Sequence, residues 1–294
     1  MVNKVKKLII FICLILFLIL CFIAFIKYNQ NTQQVVVLVY HNIIPDNLAK
    51  KEDDYDTLTY SEFEREIKFL KDNNYKAISA EEFYEWKINK MELPERSVLI
   101  TFDDAYYSFK YLVQPILQKY DFNAICFVIG NSVPETTPEY NANNYGTIGK
   151  DEIDNHISNV EYGSHTYGLH SLTDDNKKLI NVLTTEELKE DIKKFNDEVF
   201  VAEYLAYPYY TYTSDYIKML KECNYKLAFA GEEEMATRKV NNYKIPRISG
   251  VKPFEEFKEI FETKKYRNKY GNGLIRKICV NIERKRLLKK VNSR

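Results

Sequence analysis

Cysteine is scarce in this chain, which limits how the fold can be held together. Two of the five cysteines, Cys13 and Cys21, lie in an apolar run near the N-terminus, and the other three form no CxxC pair. The sequence therefore shows neither a disulfide framework nor a thiolate metal site. Because 45% of the 294 residues are hydrophobic, we expect one large domain that is stabilised by its core.

Polar side chains are missing from one long segment near the N-terminus. The segment 8–26 contains nineteen residues that are apolar apart from its two cysteines, and three lysines precede it. A helix of that length matches the bilayer core of about 30 Å, and the lysines favour a cytoplasmic N-terminus. We expect a cytoplasmic stub and transmembrane anchor at 1–27, a linker at 28–34 and an extracytoplasmic domain. The alternative is a cleaved secretory signal, which would also export the domain.

Net charge is absent from the whole chain but not from its C-terminal end. Residues 264–294 contain twelve Lys and Arg against one acidic residue, whereas the rest of the chain has 30 basic and 41 acidic residues, a net charge of −11. This basic tail can bind an anionic membrane surface or acidic wall polymer, and a solvated terminal helix is equally open. We expect no nucleic-acid partner, because the domain is exported.

Short internal repeats are also absent, and strands and helices alternate between the linker and the tail. "VVVLVY", "SVLITF", "AICFVI" and "YKLAFA" read as buried strands, while "TTEELKEDIKKFNDEV" has the pattern of an amphipathic helix. This alternation predicts a parallel α/β sheet or barrel over 35–263. Functional groups of such folds lie at the carboxyl ends of the strands, where His41, Asp103, Asp104, His165 and Tyr207 are predicted to lie.

Two adjacent carboxylates and two histidines are the strongest candidates for chemistry. Asp103 and Asp104 follow a hydrophobic strand, where a cation would supply the counter-charge, although a turn or helix cap also explains such a pair. His165 and His170 are five residues apart, a spacing that favours a loop over one face of a helix. Two imidazoles and one carboxylate suit Zn²⁺ or another divalent first-row metal.

Four motifs in order, "VYHNI", "TFDD", "SHTYGLH" and "LAYPYY", resemble those of the polysaccharide deacetylases, carbohydrate esterase family 4. The resemblance covers roughly residues 35–250. The longer spacing of the two histidines, the early Tyr-His and a late "IPRI" are similar to the poly-N-acetylglucosamine deacetylase branch. The resemblance implies the NodB-homology fold, an irregular (β/α) barrel, with Zn²⁺ as the expected metal and Co²⁺, Ni²⁺ or Fe²⁺ as alternatives.

The resemblance also implies a role for each matching residue. Asp104, His165 and His170 would be the metal ligands, and Asp103 the general base. The backbone N–H of Tyr209 would stabilise the oxyanion. No histidine follows His170, so the general acid of the branch corresponds to His41.

One position departs from the family pattern. Ala206 stands where many members have an arginine that orients the catalytic aspartate, and we hypothesise that Arg247 pairs with Asp103 instead. Tyr167, Tyr207 and Tyr209 offer aromatic faces for a sugar ring, although aromatic residues at strand ends are as often part of the core.

The resemblance implies hydrolysis of N-acetyl groups from a GlcNAc-containing surface polysaccharide. A peptidoglycan deacetylase or an O-acetyl esterase is an alternative within enzymes, because the same metal centre can cleave either bond. A membrane-anchored glycan-binding protein without turnover is the alternative from another class, and Ala206 is its only support in the sequence.

Overall fold

The computed structural model describes residues 2–48 and 56–262, so the basic tail lies outside the described residues. The helices are α1 (Val2–Thr32), α2 (Tyr60–Asp72), α3 (Ala80–Ile88), α4 (Gln114–Tyr120), α5 (Lys150–Asp154), α6 (Thr185–Glu198), α7 (Ser214–Glu222) and α8 (Phe254–Glu262). The strands are β1 (Gln34–Tyr40), β2 (Asn42–Ile44), β3 (Thr57–Thr59), β4 (Lys76–Ala77), β5 (Ser97–Phe102), β6 (Ala124–Val128), β7 (Val160–Ser164), β8 (Tyr204–Ala206), β9 (Leu227–Phe229), β10 (Ala236–Thr237) and β11 (Ile248–Ser249).

The main sheet has the order β10-β1-β5-β6-β7-β8-β9, and every pair from β1 to β9 along this path is parallel. The carboxyl ends of these parallel strands therefore meet at one edge, which we call the carboxyl edge. The opposite edge, where the strands begin, is the amino edge. This arrangement confirms the α/β class that the alternation of strands and helices predicts.

The segment 245–249 lies between the last and the first of the parallel strands. Ile245 forms a parallel bridge with Phe229 of β9, and Ile248 pairs in parallel with Leu38 of β1. The sheet therefore curls until its two ends share one connecting segment. The position of this segment matters for the site, because it contains Arg247.

The sheet is buried on both faces, as expected for parallel strands with continuous hydrophobic sequence. In β1, Val36 and Leu38 belong to the core between sheet and helices, whereas Val35 and Val37 belong to a second core inside the curl. Trp86 of α3 is fully buried in that second core. Cys126 is buried in β6, in agreement with the prediction that "AICFVI" forms a buried strand.

Helix α1 contains the apolar run 8–26 and leads directly to Gln33 and β1. In the part of the chain that the structure describes, we find no helix whose length and apolar character would suffice to cross a membrane.

Candidate active site

Each predicted site residue at a strand end directly follows its strand. His41 follows β1, Asp103 follows β5, His165 follows β7 and Tyr207 follows β8. Because these strands are parallel neighbours or near neighbours, their ends converge on the carboxyl edge. The sheet thus brings together residues that are up to 166 positions apart in the chain.

Asp103 and Arg247 form a buried, two-pronged ion pair. Nη1 of Arg247 lies 2.7 Å from Oδ1 of Asp103, and Nη2 lies 2.8 Å from Oδ2, while each residue is only 1% exposed. The same guanidinium donates from Nη1 to Thr101 Oγ1 and from Nε to the carbonyl oxygen of Ala230. Both carboxylate oxygens of Asp103 are therefore fixed in direction, which confirms the hypothesis that Arg247 pairs with Asp103.

The Asp103 carboxylate is ionised at neutral pH despite its burial. Burial alone would raise its pKa, but the charge and hydrogen bonds of Arg247, together with the nearby His165 and His41, hold the pKa of Asp103 well below its ordinary value. A buried carboxylate that stays charged and fixed in place can accept a proton from a water molecule, and its lowered pKa makes it a weaker base than an ordinary aspartate.

Asp104, His165 and His170 form a compact set of three ligand atoms. Nε2 of each histidine lies 3.4 Å from Oδ1 of Asp104, and the three ligand atoms lie within 4.8 Å of one another. Oδ1 of Asp104 is buried and has no hydrogen-bond partner among the described residues. An orphaned carboxylate oxygen beside two ring nitrogens fits a divalent cation, which would take all three as ligands.

The tautomer of His165 also fits a metal ligand. Its Nδ1 lies 2.9 Å from the carbonyl oxygen of Ala206, which can only accept, so Nδ1 carries the proton and the lone pair of Nε2 is available to a metal ion. Burial lowers the pKa of His165, although the charges of Asp103 and Asp104 oppose that shift, and the lowered pKa favours the neutral ring. A backbone carbonyl thus fixes the orientation of the ring.

The five-residue spacing of the histidines corresponds to a short loop, as the sequence predicts. Thr166 has a left-handed backbone with φ of 70°, and its Oγ1 accepts from the N–H of Leu169 at 3.2 Å. Asp191 of α6 accepts from the backbone N–H groups of Tyr167 at 2.9 Å and Gly168 at 2.8 Å. A carboxylate from a distant helix therefore holds the middle of the loop that carries both rings.

His41 lies beside the ion pair and between two carboxylates. Its Nε2 is 3.9 Å from Oδ2 of Asp103, and its Nδ1 is 3.7 Å from Oδ1 of Asp56. Its side chain is 14% exposed, so a proton donor at this position is reachable from solvent. The position suits the general acid that the family resemblance implies.

Tyr209 and Tyr210 form a strained turn directly after Pro208. Their φ angles are 51° and 56°, so two consecutive non-glycine residues have left-handed backbones. The Tyr209 ring lies against His170, with centroids 4.5 Å apart, and Lys178 Nζ donates to the Tyr209 carbonyl oxygen at 3.1 Å. The turn is thus attached to the loop region that follows the second histidine.

Two of the tyrosines proposed as sugar platforms are engaged elsewhere. Tyr207 is fully buried and its hydroxyl donates to the carbonyl oxygen of Tyr243, so the expectation that it offers a ring face to substrate is corrected: Tyr207 belongs to the core. The Tyr167 hydroxyl donates to Glu198 of α6, and its ring lies under the ammonium of Lys194. Tyr209 is the remaining tyrosine of the three and has its ring at the histidine pair.

Sequence patterns did not identify four residues that support the site, namely Asp56, Thr101, Lys178 and Asp191. Asp191 lies within an amphipathic helix pattern that carries no sign of a remote contact, and Lys178 lies in a polar loop. The partners of Asp191 and Lys178 are 23 to 33 residues away in the chain. Only the fold shows these contacts.

Comparison with known proteins agrees with this geometry. The family model for polysaccharide deacetylase matches residues 90–228. The poly-beta-1,6-N-acetyl-D-glucosamine N-deacetylase of Staphylococcus aureus is 30% identical over 240 residues, which cover 76% of this chain and 80% of the relative. The enzyme of the same name from Staphylococcus epidermidis is also 30% identical over 240 residues, with the same shares of the two chains.

Solved structures share the fold. A de-N-acetylase from Aggregatibacter actinomycetemcomitans superposes with a TM-score of 0.64 at 21% identity, covering 78% of this chain and 100% of that chain. IcaB from Ammonifex degensii superposes with a TM-score of 0.62 at 21% identity, covering 78% of this chain and 95% of that chain. The expected NodB-type fold, with its curled sheet, is therefore confirmed. Together with the sequence matches, these findings show that the chain belongs to the polysaccharide deacetylase family and is a hydrolase of amide bonds.

Proposed function

We propose that this protein removes N-acetyl groups from a poly-β-1,6-N-acetylglucosamine polymer in a metal-dependent reaction, releasing acetate and leaving free amines. The observation that carries the proposal is the orphaned Oδ1 of Asp104 between two histidine nitrogens, beside the buried pair of Asp103 and Arg247. The named activity of the staphylococcal relatives supports the choice of polymer.

A divalent cation bound to Asp104, His165 and His170, for which Zn²⁺ is our first choice, would polarise the acetamide carbonyl and lower the pKa of water. Asp103 accepts the proton of the attacking water, because its carboxylate is ionised and Arg247 fixes its direction. The backbone N–H of Tyr209 donates to the oxyanion of the tetrahedral species. His41 donates a proton to the departing amine, so that water and amide become acetate and a glucosamine amine.

The alternative of a glycan-binding protein without turnover had one support, the absence of an arginine at position 206. It depended on Ala206, which leaves the family's usual arginine position empty. Arg247 supplies the guanidinium from the segment 245–249 and reaches both oxygens of Asp103.

Acetate release tests the function directly. The full chain, stripped with a chelator and reloaded with Zn²⁺ or Co²⁺, is incubated with β-1,6-linked GlcNAc oligomers, β-1,4-linked GlcNAc oligomers, peptidoglycan and an O-acetylated glycan. We expect acetate from the β-1,6-linked oligomers only when metal is restored. Equal or faster release from peptidoglycan or from the O-acetyl ester would contradict the choice of substrate.

Metal binding has its own readout. Calorimetric titration of the stripped protein with Zn²⁺ should show one site, and Asp104→Asn should weaken it. Asp154→Asn is the matched control, since Asp154 is an exposed aspartate of α5 with an ion pair to Lys150. Unchanged zinc affinity in Asp104→Asn would contradict the assignment of the ligands.

From the sequence alone, we also propose that the N-terminal apolar run anchors an extracytoplasmic enzyme in the cell membrane, and that the basic tail binds an anionic surface. The nineteen apolar residues after three lysines and the charge of the tail support this. Fractionation of cells that express the full chain or residues 28–294 tests the anchor. Recovery of both in the same soluble fraction would contradict it.

A further inference from the structure

The ring of Tyr210 lies against the ion pair that holds the general base. The Arg247 guanidinium carbon lies 5.4 Å from the centroid of the Tyr210 ring and 5.9 Å from the centroid of the Phe127 ring. Phe127 is fully buried, whereas Tyr210 is 38% exposed. The Tyr210 ring therefore lies between Arg247 and solvent. Asp103 and Arg247 are each only 1% exposed.

The position of this ring requires an unfavourable backbone. Tyr210 has φ of 56°, a left-handed value that is uncommon for a bulky residue, and its neighbour Tyr209 has φ of 51°. The Tyr210 N–H donates to the Tyr207 carbonyl oxygen at 3.0 Å, which closes the turn. Strained residues of this kind persist where the surrounding structure enforces them, and they concentrate at functional sites.

Gly231 is shaped to receive the Tyr210 ring. A Cβ at Gly231 would lie 2.2 Å from Cγ and 2.5 Å from Cδ1 of Tyr210, so any side chain there would collide with the ring. Gly231 has no left-handed φ, so its backbone angles give no reason for glycine at this position. The residue before it, Ala230, accepts from Nε of Arg247 at 3.0 Å, so the ring and the guanidinium share one piece of backbone.

We propose that Tyr210 is a positioning residue for the deacetylation reaction, whose ring, seated on Gly231, covers the Arg247–Asp103 pair and keeps the general base fixed and dry. This inference rests on the proposed function. The ring acts through Arg247, whose guanidinium lies near both aromatic rings and donates four of its five N–H groups to Ala230, Thr101 and Asp103. The face of an aromatic ring attracts a desolvated guanidinium. A water molecule in place of the ring would not hold the guanidinium in the same position.

Steady-state kinetics on β-1,6-linked GlcNAc oligomers test the proposal. We expect Tyr210→Ala to lower kcat about tenfold while KM changes less than about twofold, because a loosened base affects the transition state more than binding. Tyr210→Phe keeps the ring and should restore most of the lost kcat. The matched control is Tyr84→Ala, which removes a ring 5.3 Å from the ammonium of Lys226 at the amino edge and should leave kcat unchanged.

A double-mutant cycle with Gly231 tests whether the Tyr210 ring must be seated on Gly231 to support turnover, or whether its presence alone is enough. Gly231→Ala should lower kcat about as much as Tyr210→Ala, because the new methyl group displaces the ring. Gly231→Ala combined with Tyr210→Ala should cost no more than either change alone, since coupled neighbours are not additive. The melting temperature of the metal-free protein should follow the same pattern, and zinc affinity should stay within about twofold in every variant.

Two outcomes would overturn the role of Tyr210: full kcat in Tyr210→Ala, or losses that add independently in the double variant. A rise in KM at constant kcat would assign the ring to substrate binding and would also contradict the proposal. A wild-type protein that releases no acetate from any acetylated glycan would instead contradict the proposed function itself.

Discussion

The two edges of the sheet use left-handed backbone in different ways. Ten non-glycine residues of the described chain have positive φ. Five of them lie in the site turns at the carboxyl edge: Asp104, Ala105, Thr166, Tyr209 and Tyr210. The other five lie at helix ends or in a surface turn: Asn74, Lys90, Asp121, Asn176 and Asn224.

The residue types of the two groups explain the difference. Asparagine and aspartate, which tolerate left-handed backbone, account for four of the five residues away from the site. At the site, a β-branched threonine and two tyrosines adopt the same conformation against their preference. The strain is concentrated where ligand atoms and N–H groups must be aimed, which is the pattern expected of an active site.

A carboxylate at each edge of the sheet extends the comparison between the two edges. The largest effect that we expect is on acetate release. Asp103→Asn should reduce acetate release by about 10²–10⁴-fold, because the proposed general base loses its ability to accept a proton. Glu161→Gln is the matched control at the amino edge, where Glu161 accepts from the backbone N–H of Ala80 at 2.6 Å. Comparable turnover in Asp103→Asn and the wild type would remove the functional distinction between the edges.

The next effect concerns the ion pair and its stability. Arg247→Met leaves Asp103 buried without its partner, so we expect a loss of about 3–5 kcal/mol in the free energy of unfolding, together with loss of turnover. Lys226→Met is the comparison at the amino edge, where Lys226 lies 2.8 Å from Glu81 and from Glu203, partly in contact with solvent. Urea unfolding measures both. Equal losses in the two variants would show that burial adds nothing to the pair at the site.

Opposite pKa shifts at the two edges predict opposite slopes of stability against pH. The folded-state pKa of Asp103 is lowered, so its contribution is present above about pH 4 and is lost as pH falls, by roughly 1 kcal/mol at pH 3. Burial raises the pKa of Glu161, against the effect of its two backbone hydrogen bonds, so its contribution is present at low pH and is lost as pH rises.

Unfolding of the metal-free protein between pH 3 and pH 6 measures these slopes. The stability difference between wild type and Asp103→Asn should grow with rising pH, and the difference between wild type and Glu161→Gln should shrink. Two slopes of the same sign would contradict the assigned shifts.

The smallest effect tests the strain at the amino edge. Lys90 is exposed at the end of α3 with φ of 58°, so Lys90→Gly should stabilise the fold by up to about 1 kcal/mol, or raise Tm by about 2–4 °C. Turnover should not change. A loss of activity in this variant would show that strain at the amino edge also serves the site.

The strand ends could be predicted from the sequence because buried strands are continuous apolar runs and their boundaries are sharp. Those boundaries place His41, Asp103, Asp104 and His165 on one edge. The pairing of Arg247 with Asp103 was also accessible, because Ala206 left the usual arginine position empty.

The remaining parts of the site depend on tertiary contacts that leave no local pattern. β10 and β11 are two residues long, too short for a periodic signal, and the segment 245–249 is recognisable only from its pairing with β1 and β9. Tyr207 and Tyr210 stand three residues apart in "YPYY", yet one is core and the other covers the ion pair. The backbone conformation after Pro208 determines which of the two tyrosines is in the core and which covers the ion pair.

The point at which the chain enters the sheet, just before β1, determines which edge of the sheet faces away from the N-terminal helix. Gln33, just before β1, accepts from Nε1 of Trp86 at 2.9 Å and donates to the Leu93 carbonyl oxygen, so the entry point is fixed to α3 at the amino edge. The seven residues of β1 then cover about 20 Å before His41. The point where α1 joins the sheet and the candidate site therefore lie at opposite edges of the sheet. A ligand that binds at the carboxyl edge therefore lies on the far side of the sheet from the point where α1 joins the domain.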